Sequence, residues 1–370
     1  MKLNGKLNSF TPSHIIQTCR IVDRYYDGGL IIPDSLFSFV CRVAKDWDDS
    51  DYKTEECQSM SYNDGINQVR GCAAEVLLRC YNEPERYDLI FETLYSVSEN
   101  GAISTRSAVL FRLGALMRAG KEKCLKLFLQ MTRDYSTSLL NLPVHDLNPI
   151  LYLMSDFFEE LKPYFEACIQ NEATHKVNVY ILWIAWVRNL KGAEELMYRM
   201  ADASLAGRSG LLKNIEQHCS QHLDNILPIL YRYLNFDEQE SASFYDYYFN
   251  NNIQKWPNKM RIHFVDRFVE SSASKYCSHY FIEYLQKESV NDPENILKWL
   301  PFVYERKGTE NTWTCSPSKL IDILLSAYNS IVMFDKDNPI LEKALDLLDE
   351  WLHNNDNRIY MYNCFKLLEE

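Results

Sequence analysis

The sequence predicts an all-α protein, an α-solenoid in which antiparallel helix pairs stack side by side. Three observations lead there. Apolar residues recur at three- and four-residue steps through most of the chain, the spacing that puts one stripe on one side of a helix. Glycine and proline number only 12 each, so long stretches lack the punctuation that a many-turned β protein needs. The length of 370 residues exceeds the about 100 to 200 that one compact core holds, so the chain divides into domains or grows by repetition.

Ser13 to Tyr26 reads as the first helix, capped by Ser13, with Ile15, Ile16, Cys19, Val22 and Tyr26 on its buried side. Asp27-Gly28-Gly29 ends it. Pro33-Asp34 opens a second helix that reaches Trp47, so residues 1–47 make an antiparallel pair. The stretch DDSDYKTEECQSMSYNDG, residues 48–65, is polar and acidic and reads as a long exposed loop. Residues 66–370 then read as one repeat array with an acidic C-terminal cap at Asp346, Asp349, Glu350, Glu369 and Glu370.

The array begins with a helix from Ile66 to Tyr81. Val69, Ala73, Val76, Leu77 and Cys80 share one face, while Gln68, Arg70, Glu75 and Arg79 mostly fall on the other, which predicts an amphipathic helix. Its order Val69-Arg70, Ala73-Ala74, Leu77 resembles the second helix of a HEAT repeat, and that resemblance implies a HEAT/ARM-like superhelix. A weaker echo, Thr105-Arg106 to Leu113, places its arginine 36 residues after Arg70. There the Ala-Ala pair becomes Val109-Leu110, which leaves the repeat degenerate. The Val-Arg-Gly-x-Ala-Ala helix after Ile66-Asn67 also resembles the helical repeat arms of bacterial STAND-type defence and signalling NTPases. By that resemblance the chain would be a sensor or recognition arm.

Further helices start at Pro84 and Ser104 and another ends near Tyr135. His145 to Phe158 and Leu161 to Ile169 follow, broken near Pro163. Tyr180 to Trp186 is apolar on nearly every side and calls for neighbours on both flanks. Then come Lys191–Met200, Leu205–His218, Leu223–Leu234, Glu238–Asn251, Met260–Val269, Tyr276–Gln286, Pro293–Tyr304, Pro317–Val332, Pro339–Leu352 and a last helix from Asn357.

Enzyme signatures are missing from the sequence. It contains no G-x-x-x-x-G-K-[ST], no G-x-G-x-x-G, no G-x-S-x-G and no H-E-x-x-H, so it lacks the glycine-rich cradle, nucleophile elbow and zinc helix of the commonest enzyme classes. No cofactor is expected. His218 and His222 have the spacing of two metal ligands on one helical face, but nothing nominates a third, so no metal is expected either. The 11 cysteines are odd in number and scattered among apolar positions without a C-x-x-C pair, as reduced buried thiols are. With no apolar run of about 18 residues and no leader-like start, the chain reads as cytoplasmic with no membrane span.

These absences leave a non-enzymatic scaffold or sensor that binds a protein. Its net charge of −12 argues against a nucleic-acid partner. The alternative is a nucleic-acid binder like the HEAT-like alkylpurine DNA glycosylases, which use a basic concave groove and a carboxylate that stabilises a cationic sugar. Five residues are candidates for partner binding. Arg70 and Arg106 either bond the neighbouring repeat or recruit an anionic ligand on the inner face. Tyr247 and Tyr248 belong to the run Phe244-Tyr245-Asp246-Tyr247-Tyr248-Phe249, followed by Trp256. Helical residues step about 100 degrees, so these rings cannot all face one core and at least one meets solvent or a partner.

Overall fold

The computed structural model describes residues 11–353 apart from 55–56, 58–59, 217, 219–221, 251, 277–278, 308–311 and 313. Among the described residues every regular element is helical and no strand occurs. The chain forms two compact units, Met1–Gly210 and Leu211–Glu370. The expected helix from Asn357 and the acidic pair Glu369-Glu370 lie outside the described residues.

The first unit begins with α1 (Pro12–Asp27), α2 (Asp34–Asp46), α3 (Tyr62–Ile66) and α4 (Val69–Leu77). It continues through α5 (Tyr87–Asn100), α6 (Ile103–Arg112), α7 (Lys121–Thr132), α8 (Thr137–Leu140), α9 (Pro149–Ile169), α10 (His175–Val187) and α11 (Ala193–Ala203). α12 (Leu205–Glu216) contains the division between the units. Thr11, not Ser13, caps α1 by accepting from the His14 amide, with Pro12 in the first turn. α9 runs through Pro163, and its one non-helical residue is Phe157, at φ −134°. The proline has no amide to donate to Glu159, and the chain deviates in the turn before that carbonyl. α10 packs on α9 and α11, the two flanks its apolar sequence calls for.

The structure over residues 66–81 differs from the single helix expected there. It is split into α3 and α4, a short 3-10 segment follows at Leu78–Asn82, and every residue of α4 is buried, Arg70 and Glu75 included. A one-sided amphipathic helix is the wrong description because α1, α2, α3 and α6 surround α4. The split rests on glycine. A Cβ on Gly65 would sit 2.1 Å from the Ser104 carbonyl oxygen of α6, and one on Gly71 would sit 2.2 Å from the Gly65 carbonyl oxygen. Only hydrogen fits between these backbones.

The 48–65 segment is likewise not a plain exposed loop. It holds a 3-10 turn at Ser50–Tyr52 and most of α3, which Ser61 and Asp64 open with a capping box. Asp49 is only 2% exposed. Its carboxylate accepts from the Ala102 amide at 2.7 Å and the Thr105 hydroxyl at 3.2 Å, and lies 3.1 Å from Arg70 Nη1. An acid in a polar run is thereby drawn into the core to meet a guanidinium and the N-terminal end of α6.

Guanidinium groups recur at helix C-termini, where the last carbonyls lack intrahelical donors. Arg70 donates to Ala44 O and Lys45 O at the end of α2 and to Asn100 O at the end of α5. Arg106 donates to Met131 O at the end of α7, and Arg133 to Ser98 O and Glu99 O of α5. Arg208 reaches Ala201 O and Asp202 O of α11.

The second unit contains α13 (Leu223–Tyr233), α14 (Gln239–Phe249), α15 (Asn258–Glu270), α16 (His279–Asn291), α17 (Pro293–Lys307), α18 (Pro317–Val332) and α19 (Ile340–Leu352). α14, α16 and α18 pack in one row and α15, α17 and α19 in another, with α16 on α17, α17 on α18 and α18 on α19 between the rows. Arg306 repeats the arginine device, donating to Glu270 O and Ser271 O at the end of α15.

Seven of the eight described cysteines are buried, and Cys57 is the half-exposed one. Burial pushes the Cys41 thiol up to about 11 and those of Cys80, Cys124 and Cys168 to about 12. Iodoacetamide labelling of the native protein, followed by peptide mass spectrometry, is therefore expected to modify Cys57 well before these four. Equal rates across the five would show that the core opens on the labelling timescale.

Candidate binding surfaces

The five residues singled out by sequence separate into two kinds. Arg70, Arg106, Tyr248 and Trp256 are buried and do not face solvent. Both arginines clasp neighbouring helix ends, and Arg106 also bonds the Asp134 carboxylate, so their donors serve the fold. Tyr248 donates to Leu212 O at 3.4 Å, and its ring and the Phe264 ring pack edge-on against Trp256 at centroid distances of 6.2 and 5.2 Å. Tyr247 is 47% exposed.

Tyr247 stands in an aromatic patch. Its ring lies 6.2 Å from Phe244, one turn back on α14, and 5.8 Å from Tyr280 at the start of α16. Asp246 fixes this arrangement by accepting from the Phe281 amide at 2.9 Å and the Tyr280 amide at 3.2 Å, so it closes the N-terminus of α16 from α14. Burial raises the Asp246 pKa, while the two amides act in the opposite direction.

A second surface, invisible in the sequence, is a cleft of about 800 Å³ in the first unit. Four separated segments build it: the end of α1, the turn after α4, the turn from Leu113 to Ala119, and the approach to α9. Arg79, Arg112, Arg118 and Lys121 line it with Asp27, alongside Tyr26, Tyr81 and Tyr152. Its floor is tight, since a Cβ on Gly114 would lie 2.3 Å from Leu147 O.

Carboxylates that do not line the cleft hold two of its arginines. Glu75, 6% exposed, pairs with Arg112 Nε. Asp23 Oδ1 lies 3.0 Å from Arg79 Nε, an attraction of charges whose alignment leaves neither atom hydrogen-bonded. Burial pushes Asp23 and Glu75 above the usual carboxylate range, opposed by Arg79 and Arg112 respectively. Among the described residues no protein acceptor meets the Arg112 Nη groups or the Arg118 guanidinium. Lys121 pairs with Asp156 at the rim, and the Tyr152 hydroxyl donates to Asp146 O at 2.6 Å. Sequence reasoning missed the cleft because its cations come from different elements, and no single helix face is rich in lysine or arginine. The one available signal was six lysines and arginines from position 79 to 121, four of which line the cleft.

Among the described residues no three histidine, cysteine or carboxylate side chains converge as a metal site, and no helix is long and apolar enough to cross a membrane. The residues between His218 and His222 lie outside the described set. Compared with protein-family models, curated proteins and solved structures, the chain matches none.

Proposed function

We propose that the chain is a non-enzymatic helical-repeat protein, an α-solenoid of antiparallel pairs, that recognises a protein partner through the aromatic patch around Tyr247. The observation that carries the repeat reading is the spacing of hydrogen bonds between helices. In the first unit Lys123 bonds Asp88 across 35 residues, Arg133 bonds Ser98 across 35 and Asn171 bonds Thr137 across 34. In the second, Tyr280 bonds Asp246 across 34 residues, Arg306 bonds Ser271 across 35 and Ser289 bonds Ser326 across 37. Side chains that repeatedly meet others one helix pair away are what stacked repeats of ~34 to 47 residues require.

Tyr247 supports the recognition half of the reading. A tyrosine held between two other rings offers apolar area at little cost in conformational entropy, and such residues dominate interface energetics. The narrower idea, a sensor arm in a bacterial defence or signalling system, rests on the Val69-Arg70 and Ala73-Ala74 resemblance and belongs to the same proposal.

The test is affinity capture of the tagged chain from native extract, with and without nuclease, repeated with Tyr247→Ala. A protein captured in both conditions, bound by the purified chain, and weakened at least about tenfold by Tyr247→Ala is the expected result. Recovery that depends on DNA or RNA would overturn it in favour of the nucleic-acid reading. A partner that ignores the substitution would remove Tyr247 from the interface.

A further inference from the structure

We propose that the cleft of the first unit binds a mononucleotide, its phosphate taken by Arg112 and Arg118 and its planar base by the tyrosine walls. This goes beyond the Tyr247 reading and uses a different surface.

About 800 Å³ falls within the ~300 to 1,000 Å³ typical of small-molecule sites, which combine apolar lining with a few convergent polar groups. Leu78, Ala115, Met117 and Leu147 supply the apolar part. Four cations line the wall with Asp27, and Asp23, Glu75 and Asp156 pair with Arg79, Arg112 and Lys121 from outside the lining, so Arg118 is the lining cation with no carboxylate partner among the described residues. A ligand with a negatively charged group fits that free cation.

The donors are also pre-arranged. A guanidinium has five N–H groups, and Glu75 pairs with the Nε end of Arg112, so the ion pair holds the side chain and leaves its Nη fork for an oxyanion. Arg118 is exposed at the same wall, with no acceptor among the described residues. A phosphate has enough acceptor oxygens to take both, and charge-assisted bonds of this type are the strong ones.

The tyrosines argue for a ring on the same ligand. Tyr81 and Tyr152 are each 40% exposed although they sit in a concavity, and Tyr26 adjoins them. Aromatic faces left open beside cationic groups suit a flat heterocycle linked to a phosphate, because stacking tolerates any base. Glycine-rich phosphate cradles are absent from the sequence, so recognition would run through side chains and no reaction on the ligand is implied.

The experiment is calorimetric titration of the full chain with AMP and UMP, beside adenosine, inorganic phosphate and O-phosphotyrosine. One mononucleotide per chain is expected, with adenosine and phosphate each at least about tenfold weaker. Arg118→Ala and Tyr81→Ala, both exposed positions, should each weaken AMP about tenfold or more while the circular dichroism melt stays in place. Tyr247→Ala should leave AMP binding unchanged, which separates this inference from the partner reading. Absence of AMP and UMP binding at millimolar ligand would overturn the proposal. So would AMP binding that ignores both cleft substitutions, or tighter binding of O-phosphotyrosine, which would reassign the cleft to a phosphorylated protein.

Discussion

Arg70→Ala is expected to cost the first unit about 3 kcal/mol of stability, the lower end of what removing one member of a buried charge pair costs. The guanidinium is 3% exposed and donates to three main-chain carbonyls from two helix ends. Its loss strands those carbonyls and leaves Asp49 with one fewer positive neighbour. Lys53, 3.0 Å from the same carboxylate and partly exposed, limits the damage to Asp49 but cannot reach the role of the fork at the helix ends. Arg70→Lys should rescue only part of the loss, because a single ammonium lacks the planar set of donors. With two compact units in the chain, one unfolding curve need not report one transition. Hydrogen exchange at α4 and α6 amides is the better readout. A change below about 1 kcal/mol would mean that water replaces the arginine without penalty.

Gly65→Ala is expected to destabilise the same region by about 2 kcal/mol. In an unconstrained helix this substitution would gain up to about 1 kcal/mol from reduced backbone entropy. Here the added Cβ would lie 2.1 Å from the Ser104 carbonyl oxygen and 3.0 Å from Ala108 Cβ, so α3 must lift off α6. Overpacking of that kind costs about 1 to 3 kcal/mol and sometimes more. Faster exchange confined to α3, α4 and α6 is the signature to measure. A stabilised protein would show that α3 shifts freely.

Periodicity carried the helices well where a helix has one wet side. α1, α2, α18 and α19 fall close to their expected ranges because their apolar residues recur at helical steps and their starts carry proline or a capping side chain. It misled at α4, whose charged residues mimic a solvent face. Arg70 and Glu75 are buried because each finds an opposite charge or carbonyl group from another helix, and no local pattern encodes a partner that far along the chain. Asp49 fails for the same reason from the other side, an acid in a polar run that reads as solvated until Arg70 and Thr105 surround it. The aromatic run was half legible. Helical geometry demanded that at least one ring remain outside, but which ring did so depended on α16, placed by the bond from Asp246. The cleft was not legible at all, since its walls are assembled from turns whose positions only the packed helices determine.

The clasps from arginine to helix ends also govern where the chain can be cut. Arg133 holds the end of α5 and Arg306 the end of α15, each from about 35 residues downstream. A truncation made in the loop after a complete helix therefore still strips that helix of donors encoded about 35 residues further on. Fragments that stop at such loops should fray backward from their new terminus, because the last carbonyls of the final helix lose their donors. Expression boundaries are better set by which side chains reach back across the cut than by where helices visibly end.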